Sequence, residues 1–123
     1  METILLYFGR ILFGGYFAYS GFNHFKMLDM MSGYAKSKGA PLPKLSVAFS
    51  GLLLLIGGLS VLFNILPSVG FVSLALFLIP VTFIMHAFWK VQDPMAKMHE
   101  MINFMKNIAL LGAVLILLVH SLV

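Results

Sequence analysis

Residues 4–22 read ILLYFGRILFGGYFAYSGF, an apolar run with a single charge, Arg10. A run of this length can cross a bilayer, because a membrane helix needs about 20 residues. A charged side chain at membrane depth costs roughly 2.5–3.5 kcal/mol on insertion scales, so it usually faces protein or a wet cavity. We therefore expect a membrane protein in which Arg10 points into the interior or a polar crevice.

The composition of the whole chain agrees with a membrane protein. Of its 123 residues, 61% are hydrophobic and only 10% are charged, and the mean hydropathy is +1.02. Soluble domains carry about 25% charged residues. The absence of cysteine excludes disulfides, thiolate catalysis and cysteine-ligated metal centres. The net charge of +4 lies around apolar runs, so we expect anionic lipid headgroups as partners and no nucleic acid.

Four apolar runs predict the fold class, which is an all-α membrane protein. We expect an antiparallel four-helix transmembrane bundle in one domain, residues 1–123, with spans at about 4–25, 45–66, 69–89 and 104–123. Methionines at helical spacing after Lys26 predict a short interfacial helix between helices one and two. Asp93-Pro94 reads as an N-cap followed by proline at the first helical position, so helix four should begin there.

The lysines predict the orientation. Seven lysines lie on the two connections that face one side: Lys26, Lys36, Lys38, Lys44, Lys90, Lys97 and Lys106. The positive-inside rule places these connections in the cytoplasm and both termini outside. Met1-Glu2-Thr3 lacks the basic region of a cleavable signal peptide, so we expect the first helix to be retained in a multi-pass protein of the bacterial inner membrane.

Small and polar residues recur along helix one at spacings of four and three, from Arg10 through Gly14 and Gly21 to His24. A similar stripe on helix two ends at Asn64. Such stripes are typical of a close packing seam between membrane helices, which is the interpretation we favour. Arg10 and Asn64 fall at similar depth and are candidate partners for each other.

Polar residues also gather at the predicted cytoplasmic end. The candidate ligand-binding set is His24, Lys26, His86, Trp89, Glu100, Lys106 and Asn107. Thr82, His86 and Trp89 should share one face of helix three. The set could bind an anionic headgroup or relay protons through His86 and Glu100. Two alternatives stay open: ordinary interfacial anchoring, and a structural pair of Glu100 with a lysine. The residue spacing matches no metal motif, so we expect no metal site.

Five segments together carry a family resemblance. They are GRILFGGYFAYSGFNHF (9–25), YAKSKGAPLP (34–43), LLLLIGGLSVL (52–62), HAFW (86–89) and FMKNIALLGA (104–113). The set resembles the DoxX family of small bacterial membrane proteins, in this order and over nearly the whole chain. The resemblance implies a four-helix membrane bundle whose recurrent polar positions are Arg10, Lys26, His86, Lys106 and Asn107.

One departure limits what the resemblance implies. Many relatives carry a glutamate shortly before the Gly-Gly pair of helix two, where this chain has Leu52 to Leu55. Acid chemistry by that glutamate is therefore not carried over.

The resemblance leaves two functions open. The first is an accessory subunit of a membrane redox system, with quinone as the redox partner considered. The second is a non-catalytic bundle that binds lipid or a membrane or peripheral protein and assists assembly or maturation. The sequence contains no flavin or nicotinamide fingerprint and no nucleophile–base pair, so we expect no catalysis by the chain alone. Quinone or bound lipid are the ligands considered.

Overall fold

A computed structural model describes residues 1–123, and it is all-helical, as predicted. The five α-helices are α1 (Glu2–Lys26), α2 (Leu28–Ser37), α3 (Pro43–Phe63), α4 (Pro67–Met85) and α5 (Pro94–Leu122), with a single 3-10 turn at Phe88–Lys90. The chain contains no strand.

Three segments are long and apolar enough to cross a membrane. They are Pro43–Phe63, Pro67–Lys90 and Pro94–Leu122, which correspond to α3, α4 with its following turn, and α5. The remaining long helix, α1, is not among them. Arg10 and the tyrosines and glycines of α1 lower its hydropathy, so the fourth predicted span stays a prediction.

The predicted start of helix four is confirmed by local chemistry. Asp93 caps α5, since its Oδ2 accepts a hydrogen bond of 2.9 Å from the backbone N–H of Ala96. Pro94 occupies the start of the helix, where no backbone donor is needed. Asn64 ends α3 in the left-handed conformation with φ of 54°, which asparagine tolerates better than most residues.

Glycines set the close approach of α1 and α3. A Cβ atom on Gly14 would lie 2.6 Å from the backbone nitrogen of Leu62, and one on Gly21 would lie 2.8 Å from the carbonyl oxygen of Gly51. Higher numbers on α1 thus meet lower numbers on α3, so the two helices run in opposite directions. The buried residues of α1 are Gly14, Phe17 and Gly21. The middle of the predicted packing stripe is therefore a real seam.

The core joins these two helices to α4 and α5. Its buried members are Phe17, Leu54, Val61, Phe71, Leu74, Leu78 and Val114. Close backbone packing follows the order α1–α3–α4–α5, and α2 lies against α3. With this order of packing, the end of α1, α2, the start of α3 and the end of α4 lie at the same end of the molecule. We call it the lysine-rich end, because the two connections with the lysines lie there.

The prediction of one shared helix face for Thr82, His86 and Trp89 is wrong, although the predicted span at about 69–89 falls within Pro67–Lys90. Helix α4 ends at Met85, His86 leaves helical geometry with φ of −117° and ψ of 39°, and Trp89 lies in the 3-10 turn. Helix α5 begins at Pro94, so the chain must reverse its direction between Met85 and Pro94. Helical spacing therefore does not relate Thr82 to the other two residues.

Candidate site: a histidine cavity at the lysine-rich end

A cavity of about 390 Å³ lies where four helices meet at the lysine-rich end. Its walls come from the end of α1, from α2 with the connection after it, from the start of α3 and from the end of α4. Most of the lining is apolar and includes Met31, Val47, Phe49, Phe77, Ile84 and Met85. Five side chains with polar atoms interrupt it: His24, Tyr34, Ser46, Ser50 and His86. We call this space the histidine cavity.

His24 enters the cavity wall from the last turn of α1. Its Nδ1 atom lies 2.8 Å from the carbonyl oxygen of Ser20, one turn earlier in the same helix. The imidazole also meets the ring of Phe77 on α4 edge to face, with 6.1 Å between centroids. The ring is thus held by its own helix on one side and by an aromatic contact on the other.

His86 enters the cavity lining at the point where α4 stops. Its Nδ1 atom lies 3.3 Å from Oε2 of Glu100, and Nζ of Lys38 lies 3.3 Å from the same oxygen. The Glu100 side chain is only 11% exposed. A carboxylate removed from water needs such partners to offset its desolvation. We call these three residues the Glu100 cluster.

The Glu100 cluster joins three segments that are far apart in sequence. Lys38 caps the C-terminal end of α2, His86 follows α4, and Glu100 lies in the second turn of α5. The alternative that Glu100 pairs with a lysine is confirmed, but the partner, Lys38, was not in the predicted set. Seven lysines lie on the connections that we assigned to this side. No pattern along the chain distinguishes Lys38 from the others.

Five residues of the predicted ligand-binding set do not line the cavity. Glu100 contacts His86 from outside it, and the other four lie apart from both. Lys26 is exposed beside a shallow depression that also contains Asp29 and Lys44. Trp89 is half-exposed and packs edge to face against Phe88, with 5.2 Å between ring centroids. Further along α5, Lys106 is exposed and Asn107 is buried. Of the predicted set, the structure brings together only His24, His86 and Glu100.

A family comparison now bears on this arrangement. Residues 5–87 match the DoxX family model, which is more than half of the chain. The chain belongs to the DoxX family. No match was found among curated proteins or among solved structures. The DoxX match spans every segment that lines the histidine cavity and stops before α5. Glu100, which binds His86 from outside the cavity, therefore lies beyond the matched DoxX region.

Arg10 of this DoxX protein is half-buried, at the other end of α1. Its guanidinium lies over the ring of Tyr7, 5.9 Å from the centroid, which is within the range of a cation–π contact. Asn64 is exposed at the end of α3, and no hydrogen bond joins it to Arg10. The contact that the structure gives Arg10 is thus with an aromatic face one turn earlier in its own helix.

The chemistry available in the cavity follows from its walls. Apolar side chains can hold a hydrocarbon or ring system, while two imidazoles and three hydroxyls can bond a polar head group. Ser46 already donates to the carbonyl oxygen of Pro41. The histidines, Ser50 and Tyr34 therefore remain to orient a ligand.

Proposed function

We propose that this DoxX-family protein is a multi-pass accessory subunit of a quinone-linked redox system in the bacterial inner membrane, and that it holds an amphiphilic ligand without transforming it. The observation that carries the proposal is the histidine cavity, about 390 Å³ and largely apolar, with both His24 and His86 in its lining. Ligand sites commonly fall between about 300 and 1,000 Å³ and combine apolar linings with a few polar groups. A quinone has this combination of apolar body and hydrogen-bonding head.

The proposed setting is a bundle of four transmembrane helices, with α1 as the fourth span and α2 lying at the interface. The three apolar spans and the DoxX match support a membrane protein. The low hydropathy of α1 is compatible with a span that is covered by α3, because its glycine seam is packed against that helix. The lysine-rich connections, and with them the histidine cavity, then lie at the cytoplasmic side.

The orientation has a direct test, because the natural chain contains no cysteine. Single cysteines introduced by Ser37→Cys and Ser121→Cys report on the two sides with a membrane-impermeant thiol reagent on intact cells. We expect labelling at position 121 and protection at position 37 until the cells are permeabilised. Labelling at position 37 alone would show that the orientation is reversed.

The bound ligand can be identified by purifying the protein in nanodiscs, extracting the small molecules that remain bound to it, and measuring quinones and lipids in the extract by mass spectrometry. We expect quinone, counted as the sum of its oxidised and reduced forms, at close to one molecule per chain. Ser50→Phe places a ring in the cavity and should reduce retention at least about fivefold, since overpacking commonly costs 1–3 kcal/mol. Val119→Phe is the control, because Val119 is an exposed apolar residue of α5.

Retention that is equal in both variants would contradict binding in this cavity. Retention of phospholipid in place of quinone would contradict the redox assignment while leaving a lipid-binding protein.

A second candidate function is a lipid- or protein-binding bundle that assists assembly or maturation. The observation that favours it is the exposed apolar stripe on the first half of α5, formed by Met95, Met98, Ile102 and Met105. Methionine-rich surfaces adapt to different partners because the side chain is flexible and polarisable. A stable stoichiometric protein complex that lacks both quinone and redox activity would favour this function over the first.

A further inference from the structure

The two histidines of the cavity are both engaged through the same ring atom. Nδ1 of His24 lies 2.8 Å from the carbonyl oxygen of Ser20. A carbonyl oxygen only accepts hydrogen bonds, so Nδ1 must carry the proton. In a neutral imidazole the other nitrogen, Nε2, is then an unprotonated acceptor.

His86 also carries its proton on Nδ1, but its hydrogen-bond partner is a carboxylate. Its Nδ1 lies 3.3 Å from Oε2 of Glu100, and an ionised carboxylate also only accepts. Nζ of Lys38 lies 3.3 Å from that oxygen and already forms an ion pair with it. A neutral His86 therefore satisfies the carboxylate by donating from Nδ1, which leaves its Nε2 as an acceptor. The Glu100 cluster thus positions His86 in one tautomer.

Each histidine consequently has one ring nitrogen left for a ligand, and in the neutral ring that nitrogen accepts. We infer, resting on the proposed function of the cavity, that the histidine cavity selects head groups that donate O–H hydrogen bonds over those that only accept. A hydroquinone would bind in preference to its quinone, and a glyceride hydroxyl in preference to its ether. A carbonyl or ether oxygen placed against Nε2 forms no hydrogen bond and leaves two acceptors unpaired, which a site built for hydroxyls rejects.

The test compares matched ligands on the unaltered protein in nanodiscs near pH 8, where free imidazole is neutral. The first set is a decyl-substituted benzoquinone, its hydroquinone kept reduced with dithionite, and the bis-O-methyl ether of that hydroquinone. The second set is 1-monoolein and its di-O-methyl ether, which reports on a glyceride source of the hydroxyl. The chain has no cysteine, so the reductant has no disulfide to break. Empty nanodiscs correct for partitioning into lipid.

We expect the hydroxyl-bearing member of at least one set to bind about fivefold tighter, the value of one net hydrogen bond of typical strength. The methyl ethers should bind like the quinone. His24→Phe and His86→Phe should each reduce this selectivity. His99→Phe is the matched control and should keep it, because His99 is exposed on α5 and does not line the cavity. The set that shows the preference identifies the source of the hydroxyl.

Two results would overturn the inference in different ways. Equal binding within both sets would refute the selectivity and leave the cavity as a ligand site. Absence of binding by every probe would refute the proposed function and the selectivity with it. The ether comparison on the unaltered protein decides the question even where a phenylalanine variant does not fold.

Discussion

Gly14→Ala is expected to destabilise the protein by about 3 kcal/mol, the upper end of the usual cost of overpacking. A Cβ atom at Gly14 would lie 2.6 Å from the backbone nitrogen of Leu62 and 2.8 Å from the carbonyl oxygen of Gly58. Backbone atoms inside a helix cannot rotate away as a side chain can. The added methyl group must therefore push α1 away from α3 along the seam that Phe17 and Gly21 also occupy.

The neighbouring residue offers a matched control. A Cβ atom at Gly15 would meet nothing within 4 Å, so Gly15→Ala should be neutral or slightly stabilising, since alanine favours a helix by up to about 1 kcal/mol over glycine. Unfolding of the two variants in detergent, followed by circular dichroism, measures the difference. Equal stability of both would show that the α1–α3 seam is looser than the structure indicates.

Glu100→Ala is expected to have the next largest effect, a loss of about 2 kcal/mol in the free energy of unfolding. Removing one member of a buried ion pair commonly costs about 3–5 kcal/mol, and partial exposure reduces that cost. The side chains of Lys38 and His86 are only 25% and 20% exposed, and both lose the same carboxylate oxygen. The end of α2 also loses its ionic link to α5.

Asp29→Ala is the control for this change. Asp29 pairs with Lys44 at 3.7 Å, but the two side chains are 94% and 70% exposed. Exposed pairs contribute little, so no measurable change in stability is expected. A Glu100→Ala variant as stable as the Asp29→Ala variant would mean that the Glu100 cluster does not stabilise the fold.

Features of the fold that depend on neighbouring residues could be predicted from the sequence. Long apolar runs predicted helices, and three of them have the length and hydropathy of membrane spans. The start of α5 followed from Asp93-Pro94, because a cap and a proline act on the backbone within one turn. The glycine stripe of α1 predicted a close seam, because residues at spacings of four and three share a helix face.

The candidate site could be predicted only in part. Helix direction predicted all seven residues of the candidate set at one end. Only His24 and His86 line the cavity, and Glu100 contacts His86 from outside it, whereas Lys26, Trp89, Lys106 and Asn107 do neither. Spacing predicts a shared face only while one helix continues. At Met85 it stops, so the expected alignment of His86 and Trp89 with Thr82 failed.

The sequence by itself determined an all-helical DoxX-family chain with apolar spans, because periodicity, caps and hydropathy are local properties. Only the tertiary structure decided that Lys38, among seven lysines, meets Glu100, and that the same carboxylate oxygen accepts from His86. It also decided that His24 and His86 line one cavity. These partners lie on different helices, and their distances depend on how the helices are placed against one another. That placement is set by packing at the glycine seam and in the core. Spacing along a helix identifies the face that packs closely, but not which helix packs against it or at what distance.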